Sequence, residues 1–191
     1  MELYLNFNPF PVLETERLLL REMTMEDASE FYFFRSNPDV LRYIDREPMT
    51  HPSEATAFME RIINQVKNNE TIIWVIELKS QPGKMAGTIT YWRLEKEHLR
   101  AELGYMLHPD HWNKGLVSEA MQAVINYGFT VMNLHSIEAN INPANGSSRK
   151  VLQKAGFVKE AYFKENYYFR GDFIDSEIYS LLNPFHITNT H

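Results

Sequence analysis

Cysteine is absent from the 191 residues of the sequence. Its absence excludes disulfide bonds, zinc–thiolate centres and a cysteine nucleophile. Long apolar runs are missing too, because the longest, residues 72–76, is far shorter than the about 20 residues that a helix needs to span a bilayer. No Lys or Arg precedes Arg17, so the start does not have the basic region of a secretory signal. These absences predict a soluble, cytoplasmic protein that does not bind membranes.

An excess of positive charge is also lacking. The chain has 19 Lys and Arg against 25 Asp and Glu, and its net charge of -6 at pH 7 gives no indication of a nucleic-acid partner. What is present is a globular composition, with 44% hydrophobic and 23% charged residues. The sequence contains no internal repeat and no linker, so we predict a single domain over residues 13–182, with short tails at 1–12 and 183–191.

The spacing of apolar residues changes from helical to strand-like near residue 71. Before that point the pattern predicts a strand at 17–22, helices at 25–35 and 39–43, and a longer helix capped by Ser53. After it the pattern predicts strands at 71–78, 85–94, 100–108 and 136–141, helices at 118–132 and 147–155, and a closing hairpin over 157–182. An antiparallel run, a β-α-β unit and a hairpin in this order predict an α/β (α+β) domain with a mixed central sheet.

A candidate anion site lies at residues 109–120, P-D-H-W-N-K-G-L-V-S-E-A, where a strand ends and an amphipathic helix begins. A helix N-terminus offers free N–H groups and a partial positive charge. Gly115 would let the main chain approach a phosphate without a Cβ in the way, and Lys114 would add a positive charge. By spacing alone, an ordinary strand-to-helix turn is the more frequent interpretation. The phosphate motifs G-x-x-x-x-G-K-[ST] and G-x-G-x-x-G are absent.

The segment W-N-K-G-L-V-S-E-A, residues 112–120, resembles the cofactor loop of the GCN5-related N-acetyltransferases, the GNAT superfamily. Gly115 matches the glycine of the pattern [QR]-x-x-G-x-[GA], whereas Trp112 and Val117 depart from it. A tryptophan at this place is common in the branch that acetylates the N-termini of ribosomal proteins. The segments L-E-T-E-R-L-L-L-R, A-E-L-G-Y-M-L-H-P, A-N-G-S-S-R-K-V-L-Q-K-A-G-F and F-R-G-D-F resemble other parts of that branch in the right order. The likeness runs from Leu13 to Leu182.

This resemblance implies a GNAT fold, with a bent sheet of about seven strands that splays between its fourth and fifth strands, Glu102–His108 and Ser136–Ile141. It also implies acetyl-CoA as the co-substrate, held mainly by the main chain. The cofactor-binding residues it implies are Met106, Leu107, His108, Asn113, Lys114, Gly115, Leu116, Val117, Ser118 and Asn145. Asn145 equally suits the N-cap of the following helix. His108 and His111 have the types of metal ligands but no third converging ligand, so we predict no metal.

The implied reaction needs a neutral amine, a polarised thioester carbonyl and a proton for the leaving thiolate. Leu152 stands where many relatives have a tyrosine acid. Ser148 is therefore our candidate for a proton relay, although a polar residue is also common in the first turn of a helix. Our candidate bases are Glu102, Glu165 and Tyr167, and Glu102 is equally suited to be a solvated strand carboxylate. An α-amine has a pKa of about 7.7–8.0 and could react without any base.

The branch resemblance implies that the acceptor is the N-terminal α-amine of a protein or peptide, and that the first helices line the acceptor cleft. Two alternatives stay open at this point. One is an acetyltransferase for a small amine such as a polyamine, an antibiotic or an amino acid. The other is a non-catalytic module that binds acyl-CoA. This alternative stays open because Leu152 stands in place of the usual tyrosine acid. A homodimer is a further option.

Overall fold

The computed structural model describes residues 2–186, and its centre is one sheet with the strand order β1-β2-β3-β4-β5-β6-β8-β7. The strands are β1 Leu13–Glu14, β2 Leu18–Arg21, β3 Ile72–Leu78, β4 Met85–Glu95, β5 Arg100–Leu107, β6 Ser136–Ile141, β7 Val158–Phe169 and β8 Asp172–Leu182. The helices are α1 Ala28–Ser36, α2 Pro38–Leu41, α3 Pro52–Lys67, α4 Leu116–Thr130 and α5 Gly146–Lys154. The predicted mixed α/β class is confirmed. The sheet has eight strands rather than about seven because the two residues of β1 pair with β2.

The sheet is antiparallel except between β5 and β6, which α4 connects as a β-α-β crossover. These two strands pair only where Arg100–Glu102 faces Ser136–Glu138. Beyond Glu102, β5 continues beside β4 while β6 continues beside β8, so the sheet opens between them. The predicted splay is therefore present, and it lies at the carboxyl end of both parallel strands.

Apolar side chains from the sheet and the helices form one core. Strand β3 is buried over Ile72–Glu77, which explains why its sequence is a continuous rather than an alternating apolar run. The fully buried side chains include Leu18, Leu20, Phe31, Phe34, Met59, Ile72, Trp74, Ile76, Ile89, Tyr91 and Met121. The core thus fixes β3, β4 and α4 against one another beneath the splay.

A buried ion-pair network joins β2 to the start of α1. The guanidinium of Arg21 contacts Asp27 at 2.7 Å and Glu77 at 2.5 Å, and both carboxylates are almost inaccessible to solvent. Asp27 also accepts a hydrogen bond from the N–H of Thr24 and closes a capping box there. As a result, a 3-10 turn occupies Met25–Asp27, and α1 begins only at Ala28 rather than at the predicted residue 25.

Two other helix starts differ from the prediction. His51, not Ser53, is the N-cap of α3, because its ring accepts the N–H of Ser53 while Glu54 closes the capping box. Helix α4 begins at Leu116, two residues before the predicted start, because Gly115 adopts a left-handed conformation with φ 74° and serves as its N-cap. The second difference brings the helix N-terminus directly against the splay.

The segments expected to be tails contact the body where they are described. Phe7 is buried in the core, and the Trp74 indole N–H donates to the carbonyl of Pro11 at 2.7 Å. Asn183 is fully buried, and its amide donates to the carbonyls of Phe129 and Leu134. The remainder of the expected C-terminal tail, residues 187–191, lies outside the described part. Within 2–186, no helix combines the length and apolar character that crossing a membrane requires.

Candidate functional site

The edge of β5 that faces the splay presents main-chain groups without a strand opposite. The His108 N–H donates to the carbonyl of Ala86 at 2.8 Å, on the β4 side. Because successive residues of a strand point their N–H and C=O groups to opposite sides, those of Tyr105 and Leu107 point into the splay. The Leu107 carbonyl accepts the indole N–H of Trp112 at 2.8 Å. Within residues 2–186, the Leu107 N–H and both main-chain groups of Tyr105 face no strand, because the pairing of β5 with β6 ends at Glu102, and they are left for a ligand.

The loop that follows β5 offers a run of main-chain donors. Asn113 and Gly115 adopt left-handed conformations with φ of 59° and 74°. The Trp112 N–H donates to the carbonyl of Pro109. The next N–H along the chain that donates to a main-chain carbonyl is that of Glu119, whose acceptor is Gly115. Across the described residues, the six N–H groups of 113–118 have no such partner. This loop, residues 113–118, therefore suits a phosphate group by its main chain alone.

Side chains hold the phosphate loop in place. Arg17 donates to the carbonyl of Lys114 at 3.0 Å and pairs with Glu119 in the first turn of α4 at 2.6 Å. The Lys114 ammonium donates to the carbonyl of Asp110 at 2.7 Å. These contacts tie β2, the loop and α4 together. The charge of Arg17 is paired with Glu119, so the free N–H groups of the loop are the main attraction for an anion there.

An open cleft of about 1090 Å³ runs from this loop across the splay to the first helices. Its walls are the β5 edge, the phosphate loop, the start of α5, the β7–β8 hairpin and helices α1 to α3. The predicted site residues that line it are Glu102, Met106, Leu107, Asn113, Gly115, Leu116, Val117, Ser118, Asn145, Ser148 and Tyr167. His108 and Lys114 are not among its lining residues, because the His108 ring stacks on Phe33 with centroids 4.6 Å apart and Lys114 turns back to Asp110.

Asn145 is the N-cap of α5, which was one of its two predicted roles. Its side-chain oxygen accepts the N–H of Ser148 at 3.0 Å. The asparagine also lines the cleft, so its amide N–H groups can reach a ligand while its oxygen holds the helix. Both roles are thus compatible in this geometry.

Ser148 lies beside a tyrosine that the sequence does not predict as a site residue. The hydroxyls of Tyr105 and Ser148 are 2.5 Å apart, and either can donate to the other. Burial raises the pKa of Tyr105 to about 12, so this hydroxyl is protonated at neutral pH. Leu152, at the position of the usual tyrosine acid, is fully buried in the core. Tyr105 lies 43 residues from Ser148 in the sequence, so only the spatial pairing of β5 with α5 reveals it.

Residues 17–158 match the acetyltransferase (GNAT) domain family, which is three quarters of the chain. The chain belongs to this family. It is 35% identical over 175 residues to the uncharacterized N-acetyltransferase YoaA of Bacillus subtilis strain 168, covering 92% of this chain and 98% of that protein. It is also 25% identical to the spermidine N(1)-acetyltransferase of Escherichia coli K12, covering 81% of this chain and 80% of that one.

Among solved structures, the GNAT chain resembles the ribosomal-protein-S5-alanine acetyltransferase of Vibrio fischeri, with a TM-score of 0.81 and 26% identity. That likeness covers 91% of this chain and 97% of the other. The family, its fold and the named N-acetyltransferases among its relatives identify the chain as an acetyl-CoA-dependent N-acetyltransferase. The identity of the amine that it acetylates is a separate question.

In this GNAT enzyme, Glu102 is a buried carboxylate on β5. It is 8% exposed, and its Oε2 lies 3.3 Å from Nη1 of Arg93 on β4. Burial raises the pKa of Glu102, and the nearby Glu138 adds to the rise while Arg93 opposes it. A raised pKa is a property that a proton acceptor near neutral pH requires. The alternative of a solvated strand carboxylate does not fit this burial.

The two hairpin candidates differ in position. Tyr167 lines the cleft, and its hydroxyl donates to the carbonyl of Asp45 at 3.4 Å. The Glu165 side chain is mostly exposed and does not line the cleft. Within the described residues there is no cluster of three possible metal ligands. The Nδ1 of His108 accepts the N–H of Asp110 instead.

Proposed function

We propose that this enzyme transfers the acetyl group of acetyl-CoA directly to the N-terminal α-amine of a protein or peptide. The observation that carries the proposal is the single cleft that joins the six free N–H groups of the phosphate loop to the wall formed by α1 to α3. Such a cleft accommodates a cofactor at one end and a separate acceptor at the other. A cytoplasmic location and a homodimer stay predictions.

The phosphate loop and the β5 edge fit the two parts of the cofactor. The N–H groups of residues 113–118 would hold the pyrophosphate. The free groups of Tyr105, with the amide of Asn145, would hydrogen-bond the pantetheine arm as a neighbouring strand does. Because main-chain groups make most of these contacts, the departures from the family pattern at Trp112 and Val117 do not remove them.

Acetyl-CoA, when bound, supplies a thioester whose C–S bond breaks as the amine nitrogen bonds to the carbonyl carbon. The Leu107 N–H is the main-chain donor available to polarise the carbonyl oxygen. Glu102 would accept the proton that the amine nitrogen loses. The hydroxyl of Tyr105, hydrogen-bonded to Ser148, would donate to the leaving sulfur, and the pair would relay one proton to it from solvent. Proton loss at nitrogen and proton gain at sulfur then balance.

Two observations support an α-amine over a more basic acceptor. An α-amine is partly neutral at pH 7, because its pKa is about 7.7–8.0, whereas a primary amine near 10.4 is almost fully charged. The proton acceptors that line the cleft are carboxylates such as Glu102 and Asp45, whose pKa values burial raises only from the ordinary carboxylate range, and the imidazole of His111, whose pKa burial lowers. The likeness to the alanine acetyltransferase of Vibrio fischeri over nearly the whole chain supports the same class.

A polyamine is the second candidate acceptor. The likeness to the spermidine enzyme favours it, and so do Asp39 and Asp45, which line the acceptor end of the cleft and could bind ammonium groups. Thiol release measured with acetyl-CoA and a panel of peptides, spermidine and amino acids separates the candidates. We expect the highest kcat/KM with a peptide, and a blocked N-terminus on that peptide should abolish release. Turnover with spermidine alone would contradict the proposal.

A further inference from the structure

Arg35 is a buried cation whose guanidinium has no hydrogen-bond or ion-pair partner within residues 2–186. It lies at the end of α1, is 8% exposed and lines the cleft. Its Nε is buried without a hydrogen-bond partner, and no guanidinium nitrogen of Arg35 forms a hydrogen bond or an ion pair within the described residues. A buried charge is ordinarily paired, because leaving it unpaired is costly. Arg35 therefore calls for an explanation.

Three further arginines add positive charge to the same part of the cleft. The acceptor end of the cleft is also lined by Arg42, Arg46 and Arg61. Burial and the charge of Arg46 lower the pKa of Arg35 to about 10, which leaves it charged at pH 7. Arg35 and Arg61 lie over the ring of Phe58, with guanidinium carbons 5.1 and 4.6 Å from its centroid. A cation over an aromatic ring is stabilised by the ring's electrons, but this contact leaves the N–H groups of the guanidinium without an acceptor.

The acidic residues of this wall do not pair with these arginines. Asp39 and Asp45 line the cleft, yet in residues 2–186 no carboxylate oxygen is within 4.0 Å of the four guanidinium groups. The arginines that do form ion pairs are Arg17, Arg21, Arg93, Arg100, Arg149 and Arg170. The unpaired arginines are thus concentrated at the acceptor end. A guanidinium is the group whose planar fork matches a carboxylate in two hydrogen bonds.

We propose that Arg35 binds a carboxylate of the acceptor, so that the preferred substrate is an amine that also carries a carboxylate. This inference rests on the proposed acetyl transfer and specifies its acceptor. The carboxylate can belong to an acidic side chain near a peptide N-terminus or be the α-carboxylate of a free amino acid. Arg61, which also lies over the Phe58 ring and lines the cleft, is a second candidate to contact this carboxylate. A polycation such as spermidine would bring further positive charge beside Arg35.

Matched acceptor pairs test this proposal on the wild-type enzyme. The first pair is a peptide with Asp at its second position and the same peptide with Asn. The second pair is a free amino acid and its C-terminal amide, compared per neutral amine because amidation also lowers the pKa of the α-amine. We expect the carboxylate member of one pair to have a kcat/KM about 10- to 100-fold higher, as a buried charge-assisted hydrogen bond implies. Equal values within both pairs would overturn the proposal.

Variants of Arg35 assign the preference to this side chain. Arg35→Met should lower kcat/KM for the carboxylate member to the level of its amide partner and change the amide member little. Arg35→Lys should keep part of the preference. Arg100→Met is the matched control, because Arg100 is paired with Glu95 and does not line the cleft. It should leave the preference intact. A preference that survives in Arg35→Met would contradict the assignment.

Thermal unfolding and cofactor binding separate this role from two others. Because Arg35→Met removes an unpaired buried charge, its Tm without ligand should equal or exceed that of the wild type. A lower Tm with equal losses for both members of a pair would show a structural role and overturn the proposal. Calorimetry should give the wild-type Kd for acetyl-CoA in Arg35→Met. A weaker Kd with the acceptor preference intact would assign Arg35 to the cofactor instead.

The two proposals fail in different ways. Acetylation of Asp and Asn peptides with equal kcat/KM, together with equal values for the free amino acid and its amide, would leave N-terminal acetylation standing and overturn the role of Arg35. Acetylation of the free amino acid but of no peptide, with a loss in Arg35→Met, would overturn the peptide acceptor and support Arg35. Competition by a short dicarboxylate against the acceptor, absent in Arg35→Met, would support the carboxylate site independently of turnover.

Discussion

At the scale of single residues, Gly115 tests where the cofactor's phosphates lie. It has φ 74°, and a Cβ built on it would find only the Arg17 guanidinium, 3.7 Å away. Gly115→Asp should therefore fold, with a backbone cost of roughly 1 kcal/mol, but should place a negative charge among the free N–H groups. We expect acetyl-CoA binding, measured by calorimetry, to be lost.

Gly83 provides the matched control for this substitution. It has a similar φ of 78°, lies in the turn between β3 and β4, and would place its Cβ in open space. Gly83→Asp should show a similar loss of stability with wild-type binding of acetyl-CoA. Normal binding by Gly115→Asp would show that the loop does not hold the pyrophosphate.

The Tyr105–Ser148 pair makes a prediction about coupling. If the two hydroxyls relay one proton to the leaving sulfur, Tyr105→Phe should lower kcat by roughly 10²-fold with little change in KM. Ser148→Ala should lower it less, because water can replace its hydroxyl. The double variant should be no slower than Tyr105→Phe, since members of one relay are not additive. Fully additive losses measured by steady-state kinetics would show independent roles.

Glu102 makes a prediction about pH. Its raised pKa means that it holds its proton to a higher pH than an ordinary carboxylate, so as pH falls through that pKa the base is lost and kcat/KM declines. Glu102→Gln should remove this acidic limb of the pH profile and leave the limb that belongs to the acceptor amine. Glu138 contributes to the raised pKa, so Glu138→Gln should move the limb to lower pH. An unchanged pH profile in Glu102→Gln would exclude the base role.

At the scale of elements, periodicity predicted the order of strands and helices, while the starts depended on contacts that spacing does not reveal. The predicted cap at Ser53 was wrong because the His51 ring takes the helix N–H groups first. The start of α4 at Leu116 depends on the left-handed Gly115. Tyr105 and Arg35 were not predicted as site residues. Tyr105 is identified by the Ser148 hydroxyl opposite it, and Arg35 by the lack of a polar partner within residues 2–186. Both are features of the tertiary structure, which spacing in the sequence does not reveal.

The contact between β4 and β5 depends on one glycine. A Cβ on Gly87 would lie 2.3 Å from the Met106 carbonyl oxygen and 3.0 Å from the Leu107 Cα, both main-chain atoms. Gly87→Ala should therefore push β5 toward the splay and destabilise the protein by about 1–3 kcal/mol. Acetyl-CoA binding should weaken as well, because the Leu107 N–H would move. Urea unfolding and calorimetry measure the two effects.

Gly146→Ala is the comparison for Gly87→Ala. A Cβ at Gly146 would meet nothing within 4 Å, and this residue opens α5, where alanine favours helix. Its free energy of unfolding should be equal to or above the wild-type value. If Gly87→Ala changed neither the free energy of unfolding nor acetyl-CoA binding, the close approach of β4 and β5 would not be what positions the β5 edge.

At the scale of the whole molecule, the cleft is assembled from parts that are distant in the sequence. The hairpin closes on the loop after α2, where Arg170 pairs with Glu47 at 2.6 Å. Arg17 ties the phosphate loop to β2, and Arg149 on α5 pairs with Glu177 on β8. The resemblance to a family predicted the splay and the loop, but it did not predict the chemistry of the acceptor wall. Members of one fold differ in substrate because their sites differ, so a likeness of fold does not specify this wall.

Because the proposed cofactor site spans these parts, acetyl-CoA should stabilise the whole domain. A ligand that binds only the folded state at 100 times its Kd contributes about 2.7 kcal/mol. For a chain of this size that corresponds to a rise in Tm of roughly 5–11 °C. ADP offers a pyrophosphate but no pantetheine arm, so it can engage the 113–118 loop and not the β5 edge. At the same concentration as acetyl-CoA, ADP should give a smaller rise, and neither ligand should give one in Gly115→Asp. Equal rises with ADP and acetyl-CoA would mean that the free groups of Tyr105 and Leu107 do not bind the arm, and the splay would then need another explanation.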